Sequence, residues 1–272
     1  MVMEIALDQL GAHSDDLLGP HTDLVVRSAM AGNSAARLWT IEQSGGRPIR
    51  LLWDQGNNVL YLAGQLIAEA AQGELSDLIQ HTIRPQAIEA GLAYFKTRAL
   101  APSAESALLD LFQGIALREL PSLFYGLDRA HAAPAVEGIR LLPIDRALLA
   151  NAELANAEHV RAEIRWMWPS EERFYDHGFG WAALAEQQIV CWCTAEYVSA
   201  DRCGIGITTV AEYERRGIAT ATAGRFVERA FRRGLRPYWE CRADNPGSIR
   251  VAEKLGFELL ARERYWAGIF HD

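Results

Sequence analysis

Apolar and polar positions are most regular between residues 203 and 257, where they predict strand, turn, helix, strand and helix. Residues 203–210 are rich in β-branched side chains with glycines between them, which is typical of a strand that another group approaches closely. Residues 219–233 carry apolar side chains at helical spacing and end before Gly234. This segment therefore predicts a strand followed by an amphipathic helix that packs one face on a sheet.

A second strand and a second helix follow directly. Residues 237–243 are aromatic-rich and favour a strand. Asn245 before Pro246 predicts a capped helix start, and Gly256 with Lys254 in the last turn predicts its end. The order strand, helix, strand, helix favours an α/β fold.

The turn between the first strand and the first helix has the composition of an anion site. Gly217 lacks a Cβ and readily adopts a left-handed conformation, so successive N–H groups can converge on one ligand. The N-terminus of the next helix adds N–H groups that carry a positive partial charge. Arg215 and Arg216 lie directly before the glycine. The turn therefore predicts a phosphate-binding loop.

The stretch from Gly204 to Phe257 resembles the acetyl-CoA-binding core of the GNAT acetyltransferases, whose loop reads Gln/Arg-x-x-Gly-x-Gly/Ala and whose last core helix begins at Asn and ends in Gly-Phe. With Gly178-Phe179-Gly180 upstream, the segment PYWECRADNPGSIRVAEKLGF is similar in particular to the zwittermicin A resistance type of GNAT protein. The resemblance covers roughly residues 138–268.

Two positions depart from the family pattern. Glu214 occupies the first loop position, which we expect to be tolerated because the loop binds through backbone N–H groups. Ala252 stands where many members carry a tyrosine that protonates the departing thiolate. The resemblance therefore implies the cofactor site more firmly than a general acid.

The resemblance implies a GNAT acyltransferase fold of the α/β class for residues 138–272, acetyl-CoA as co-substrate and no metal. It also implies that N–H groups of the 203–210 strand hold the acyl carbonyl and the pantetheine arm. Cofactor binding falls on the strand end, the loop and the start of the last helix: Thr208, Thr209, Val210, Arg215, Arg216, Gly217, Ile218, Ala219, Thr220, Asn245 and Ser248.

The N-terminal half, residues 1–130, shows a similar order of elements. Three antiparallel strands from Arg37 onward are followed by a helix that begins near Ile67, a strand, a helix over 102–113 and a last strand over 117–127. An offset of 144 residues pairs Phe95 with Trp239 and Pro102 with Pro246. This half is predicted to be an α/β domain, with a degenerate GNAT-like repeat and a chance similarity as the two interpretations. Residues 129–138 predict the linker.

The charge and cysteine content narrow the function. The chain of 272 residues has a net charge of −8, no long basic run and four cysteines. The negative net charge and the absence of a long basic run argue against nucleic-acid binding. No apolar run is long enough for a membrane span. The acidic N-terminus argues against a secretory signal, so a cytoplasmic location is expected. The negative charge favours a cationic substrate, although it is also typical of bacterial cytoplasmic proteins. The cysteines are expected to be buried thiols rather than zinc ligands.

Direct transfer from a thioester to an amine needs a base but no nucleophilic side chain. Glu240, in the strand after the loop helix, is the first candidate base, and an edge glutamate in a surface pair is the alternative. Glu196 is the second candidate, or else points to solvent from a central strand. His177 before a glycine is more typical of a turn. Trp166 and Trp168 are implied acceptor contacts, or else a surface and a core residue respectively.

These observations predict acetyl-CoA-dependent N-acetylation of a primary amine of a small molecule, with antibiotics as one acceptor class. A peptide or protein amine is the alternative acceptor. Because Ala252 removes the usual acid, a GNAT protein that binds CoA or a ligand without turnover is the alternative from another functional class.

A first prediction concerns stoichiometry. Between Gly64 and the following helix the N-terminal half has no Arg-x-x-Gly-x-Ala turn, and Glu69 and Glu74 lie nearby instead. Carboxylates repel a pyrophosphate, so we expect this half to serve as a spacer or pocket wall without a cofactor site. Calorimetric titration with acetyl-CoA should give one site per chain, and two equivalent sites would contradict the prediction.

Overall fold

The computed structural model describes residues 2–6, 9, 17, 19–44, 46–66, 69–132 and 134–271. Contacts divide the chain into two compact units. Unit 1 comprises residues 1–30, 35–120 and 264–272, and unit 2 comprises residues 31–34 and 121–263. Unit 1 thus includes the C-terminal residues 264–272, and unit 2 includes the N-terminal residues 31–34.

Unit 1 contains a six-stranded sheet with the order β1-β2-β3-β4-β5-β12. All neighbouring pairs are antiparallel except β4 and β5, which are parallel. The strands are β1 Val2–Ile5, β2 Ala36–Ile41, β3 Ile49–Asp54, β4 Val59–Ala63, β5 Tyr94–Ala99 and the second part of β12 Glu258–Ile269. The three antiparallel strands predicted from Arg37 onward are β2, β3 and β4.

The helices of unit 1 are shorter and less regular than predicted. They are α1 Pro20–Met30, α2 Glu69–Leu78, α3 Arg84–Glu89 and α4 Glu105–Asp110, with a π-helical turn at Ile79–Ile83 and a 3₁₀ turn at Pro102–Ala104. Ile67, where the second helix was predicted to begin, lies outside the described residues. Pro85 begins a new helical segment because it has no N–H to continue the hydrogen-bond ladder.

Unit 2 contains a second six-stranded sheet, with the order β6-β11-β10-β9-β8-β7. Its strands are β6 Arg118–Gly126, β7 Arg140–Pro143, β8 Gly180–Ala185, β9 Gln188–Val198, β10 Arg202–Thr209 and β11 Arg236–Arg242. Its helices are α5 Arg146–Leu149, α6 Ala157–Met167, α7 Glu171–His177, α8 Ile218–Arg232 and α9 Pro246–Lys254, with a 3₁₀ turn at Ala211–Tyr213. Among these strands, only β10 and β11 form a parallel pair.

The two units repeat one topology. In each unit, neighbouring strands are antiparallel except for one parallel pair, which is β4 with β5 in unit 1 and β10 with β11 in unit 2. The second strand of that pair is flanked on its other side by an antiparallel strand, β12 in unit 1 and β6 in unit 2. The strand pairs that the offset of 144 aligned, β5 and β11, occupy the same place in this order. The repeated strand order supports the interpretation of the N-terminal half as a GNAT-like repeat.

The unit bounds differ from those expected from sequence. Residues 122–126 of β6 pair with β11, so most of the last strand of the N-terminal segment belongs to unit 2. The end of β12, with Tyr265 and Trp266, pairs with β5 and belongs to unit 1. Hydrophobic alternation predicts a strand but not its partner, because pairing depends on tertiary register.

The helix α5 after the strand β7 is short and ends at Leu149. Asp145 caps it by accepting a hydrogen bond from the Leu148 N–H at 2.8 Å. Asn156 then has a φ of 69°, which breaks the helical path before α6 begins. Ser170 caps α7, because its Oγ accepts a hydrogen bond from the Arg173 N–H at 3.0 Å.

Burial separates the two interpretations offered for the tryptophans and the cysteines. Trp168 is buried and donates its indole N–H to the Ala195 carbonyl at 2.7 Å, whereas Trp166 is 59% exposed. All four cysteines are buried free thiols. Burial raises the pKa of Cys191 to about 11 and raises those of Cys193, Cys203 and Cys241. In the described ranges, no group of histidine, cysteine and carboxylate side chains is placed to hold a metal ion.

None of the helices in the described part of the chain is both long enough and apolar enough to cross a membrane.

A second prediction tests the assignment of the chain end to unit 1. The buried Phe270 ring stacks on Phe95 with centroids 4.1 Å apart, and Phe95 in turn stacks on Phe112. Phe270→Ala should lower the free energy of unfolding by about 3 to 5 kcal/mol because it leaves a cavity. Ile269→Ala, at a side chain that is 48% exposed, should cost about 1 kcal/mol or less. Urea denaturation measures both changes, and equal losses would contradict the assignment.

Candidate active site

The two parallel strands of unit 2 are paired over only part of their length. Hydrogen-bonded register joins Arg202 to Arg236, Cys203 to Pro237 and Gly204 to Tyr238, and then stops. β10 nevertheless continues to Thr209 and β11 to Arg242. The strands therefore diverge and leave an opening in the sheet.

A cavity of about 500 Å³ lies next to this opening, a size within the usual range for ligand sites. Ile207 and Thr209 of β10 and Trp239 of β11 form its wall. The other lining residues come from the turn before α8, the first turn of α8, and α9: Tyr213, Glu214, Arg215, Gly217, Ile218, Ala219, Thr220, Asn245, Pro246, Gly247, Ser248, Arg250, Val251 and Lys254.

The turn before α8 has the predicted backbone geometry. Arg215 and Gly217 have φ values of 60° and 79°, in the left-handed region. Gly217 is the N-cap of α8 and provides no side-chain cap, so N–H groups of the first helical turn face the cavity without an intrahelical partner. Among the described residues, no atom beyond its two chain neighbours lies within 4 Å of a Cβ built on Gly217. The space in front of Gly217 is therefore open, and the cradle suits an anion.

The start of α9 forms the opposite wall. Asn245 Oδ1 accepts a hydrogen bond from the Ser248 N–H at 3.0 Å, which confirms the predicted cap. Ser248 Oγ accepts the Trp239 indole N–H at 3.0 Å and fixes that ring against the helix. Ala252 is fully buried, so its position provides no hydroxyl.

Cationic side chains predominate in the cavity. Arg215, Arg250 and Lys254 line it together with one carboxylate, Glu214. Within the described residues, none of these three cations forms an ion pair or a side-chain hydrogen bond. In a chain with a net charge of −8, three unpaired cations around one cavity favour an anionic ligand.

Most of the predicted cofactor residues come together here. Thr209, Arg215, Gly217, Ile218, Ala219, Thr220, Asn245 and Ser248 line the cavity. Three others do not. Arg216 lies over the Tyr213 ring at 5.0 Å, the Val210 N–H donates to the Val190 carbonyl, and Thr208 points to the other face of the sheet. The Val210 N–H is therefore unavailable to an acyl carbonyl, which corrects that part of the expectation.

Sequence reasoning did not select Trp239, Arg250 and Lys254, which also line the cavity. A usable signal existed for the two cations, because Arg250 and Lys254 are four residues apart in the predicted helix and so share one face. Nothing in the alternation of β11 distinguishes Trp239 from a core residue, since it is only 1% exposed.

The profile of the GNAT acetyltransferase family matches residues 125–265, slightly more than half of the chain. The chain belongs to this family. Part of the protein is also related to an uncharacterized N-acetyltransferase, YdfB of Bacillus subtilis strain 168, with 30% identity over 133 residues. Those residues are 48% of this chain and 49% of YdfB, so the similarity spans about half the length of that relative.

Solved structures share the fold over nearly the whole length. A GCN5-related N-acetyltransferase-like protein from Streptococcus suis 89/1591 has a TM-score of 0.67 at 18% identity, with 97% of this chain and all of that chain covered. One from Sphaerobacter thermophilus has a TM-score of 0.62 at 17% identity, covering 100% and 96%. A tandem GNAT protein from the clavulanic acid biosynthesis pathway has a TM-score of 0.58 at 14% identity, covering 100% and 99%. The predicted α/β GNAT fold with an N-terminal α/β half is therefore confirmed.

In this GNAT protein the two candidate bases lie on the face of the sheet opposite the cavity. Trp239 lines the cavity, so its neighbour Glu240 points the other way because strand side chains alternate. Glu196 Oε1 lies 2.5 Å from the point where a Cβ on Gly206 would stand. Gly206 and Thr208 of β10 face the same side, which a third carboxylate, Glu163 of α6, also reaches.

A third prediction tests the anion cradle. Gly217→Val places a β-branched side chain at positive φ in the cavity, and should reduce acetyl-CoA affinity at least about tenfold. Gly234→Val is a matched control, because Gly234 has a φ of 75°, equally open surroundings and a place at the other end of α8. Both variants should lose similar thermal stability, and only Gly217→Val should lose affinity in calorimetry. Equal affinity in the two folded variants would refute the assignment of the loop.

Proposed function

We propose that this GNAT protein catalyses acetyl-CoA-dependent N-acetylation of a small cationic amine by direct transfer in a ternary complex. The observation that carries the proposal is the divergence of β10 and β11 beside the N–H groups at the start of α8 and three cations that have no ion-pair partner among the described residues. A thioester that lies in the gap between the two strands can be reached from either face of the sheet. The cradle can bind the anionic part of the same molecule.

The residues of the cavity fit the chemistry of coenzyme A. Its pyrophosphate suits the Gly217 turn and the first N–H groups of α8, where a helix N-terminus contributes about 0.3 to 2 kcal/mol per charge. Arg215, Arg250 and Lys254 supply charge-assisted hydrogen bonds to phosphate oxygens. Thr209 and Ile207 on β10 line the path along which the pantetheine arm approaches the opening.

The transfer itself needs no nucleophile from the protein. The amine nitrogen bonds to the acetyl carbonyl carbon, the carbon–sulfur bond breaks, and the amine releases two protons when it begins as an ammonium ion, one to a base and one to the thiolate. Holding both reactants in one cleft contributes up to about 7 to 11 kcal/mol. The buried cysteines, whose pKa values are raised, are unsuited to nucleophilic attack.

Two carboxylates are proposed as the base that takes the first proton. Glu240 remains the first candidate because it is half-buried on β11 beyond Tyr238, where pairing with β10 has stopped. Glu196 is the second candidate. Its carboxylate lies over Gly206 of β10, which borders the gap on the side away from β11. Ala252 cannot donate a proton, so the thiolate takes its proton from the amine or from water.

Unit 1 is proposed to have no second cofactor site. Its parallel pair stays joined from Val59 with Lys96 to Leu62 with Ala99, and the Leu100 N–H continues the ladder to the Leu62 carbonyl at 2.8 Å. β4 ends one residue later, at Ala63. A closed ladder leaves no gap for a pantetheine arm.

Ala252 favours a second candidate function, a protein that holds CoA or a ligand without turnover. A peptide amine as acceptor, and acetylation of an antibiotic of the zwittermicin A type, are finer alternatives within the enzymatic proposal. Thiol release against a panel of amines separates these functions, because a protein without turnover binds acetyl-CoA and releases no thiol.

A fourth prediction concerns the base. Glu240→Gln should lower the rate of thiol release about 100-fold or more and change its pH dependence, because the shape remains and the proton acceptor is lost. Glu196→Gln is the control on the same face and should have a much smaller effect. If the loss appears in Glu196→Gln alone, the base is Glu196. A normal rate and pH profile in both variants would exclude a carboxylate base from the proposal.

A further inference from the structure

Glu163 of α6 forms a carboxylate site that the proposed reaction does not yet use. Its Oε2 accepts hydrogen bonds from the Trp192 indole N–H at 2.7 Å and from Thr208 Oγ1 at 3.3 Å. Its Oε1 accepts one from Thr194 Oγ1 at 3.2 Å. Three donors from two strands thus hold both oxygens in one position.

All three donors are neutral. Within the described residues, Glu163 has no lysine, arginine or histidine partner. The neighbouring acids of the same helical region behave differently, since Glu158 and Glu171 both bind Arg165. A half-buried carboxylate whose hydrogen-bond donors are all neutral gains a charge-assisted hydrogen bond when a cationic ligand binds it.

The position of Glu163 on α6 is unusual for a charged residue. Val160, Ile164 and Met167 form the buried stripe of the helix, and Glu163 follows Val160 by three residues, on the flank of that stripe. On this flank Glu163 is directed at the sheet, whereas Trp166 one turn later is exposed. An apolar side chain at this position could pack against Trp192 without any hydrogen bond. Packing of the helix therefore does not by itself require a carboxylate there.

Thr208 connects this carboxylate to the proposed cofactor site. Its neighbours Ile207 and Thr209 line the cavity on one face of β10, while Thr208 itself binds Glu163 on the other. Gly206, two residues earlier on the Thr208 face, lies in the part of β10 that β11 no longer covers. Glu163 therefore stands on the far side of the same opening through which an acyl carbonyl is reached.

We propose that Glu163 binds the ammonium group of the acceptor and restricts the substrate to amines that are cationic at neutral pH. The proposal rests on the proposed function, because it adds the acceptor side to the same site. Alkyl amines belong to the preferred class, and weakly basic aromatic amines do not. Glu240 or Glu196 then removes the proton, while Glu163 holds the substrate at the opening.

A purely structural role for Glu163, as an anchor of α6, makes a different prediction. Loss of an anchor lowers stability and affects every acceptor equally. Loss of an ammonium-binding charge affects cationic ligands alone and leaves acetyl-CoA affinity unchanged.

The test uses the full-length chain saturated with acetyl-CoA or, to prevent turnover, with free CoA. The chain has eight tryptophans, and a spectrum of protein labelled with ¹⁵N-tryptophan resolves their indole N–H groups, with Trp192→Phe assigning the signal of interest. Butylammonium chloride is titrated against 1-pentanol, a neutral molecule of the same length. We expect the Trp192 indole signal to shift with butylammonium only, because the cation draws on the same Oε2.

The variants separate recognition from folding. Glu163→Gln should lose the butylammonium response and lower kcat/KM for alkyl amines about 100-fold, chiefly through KM, with unchanged acetyl-CoA affinity. Thr194→Val removes one donor and keeps the charge, so it should retain most of the response. The proposal would be overturned if the Trp192 indole signal did not shift with butylammonium. It would also be overturned if that shift were equal in wild type and Glu163→Gln. If CoA itself fails to bind, the proposed function fails instead.

Discussion

The site depends on one interruption of a hydrogen-bond ladder. Parallel strands β10 and β11 separate after Gly204 and Tyr238, and each strand can do so because its other edge is fully held. β10 is paired with β9 as far as Thr209 with Cys191, and β11 is paired with β6 from Tyr238 to Arg242. Unpaired backbone groups are costly when buried, so a sheet opens only where a ligand or solvent satisfies them. The opening thus exposes backbone donors and acceptors of β10 and β11, while each strand stays paired along its other edge.

The same topology in unit 1 lacks this interruption. There β4 and β5 remain in register to the end of β4, and the interior is filled by large apolar side chains such as Trp53, Phe95 and Phe112. Identical strand order therefore does not imply an identical site. A parallel pair that stays closed leaves no gap for an extended ligand, and this difference favours the proposal of a single cofactor site per chain.

Charge is distributed in a way that suits two substrates of opposite sign. On one face of unit 2's sheet, Arg215, Arg250 and Lys254 surround a cradle of N–H groups without ion-pair partners in the described part of the chain. On the other face, Glu163 accepts three hydrogen bonds from neutral donors. Because the strand β10 separates the two, the cations and the carboxylate do not neutralise each other. The arrangement favours an anionic cofactor on one side and a cationic acceptor on the other.

Local sequence determined the helices and strands and the backbone geometry of the turn at Gly217. Gly217, the Asn245-Pro246 start and the amphipathic period of α8 act within a few residues, so capping, left-handed φ and burial follow from the residues themselves. The exchange of β6 and β12 between units could not be predicted, because alternation defines a strand's faces and not its neighbour. The sequence places Glu163 beside the apolar stripe of a helix. Its hydrogen bonds to Trp192 and Thr208, which are 29 and 45 residues away, are visible only in the tertiary structure. Short-range physics decided what each segment is, and only tertiary pairing decided which segments meet, since strand register and side-chain contacts depend on residues distant in the chain.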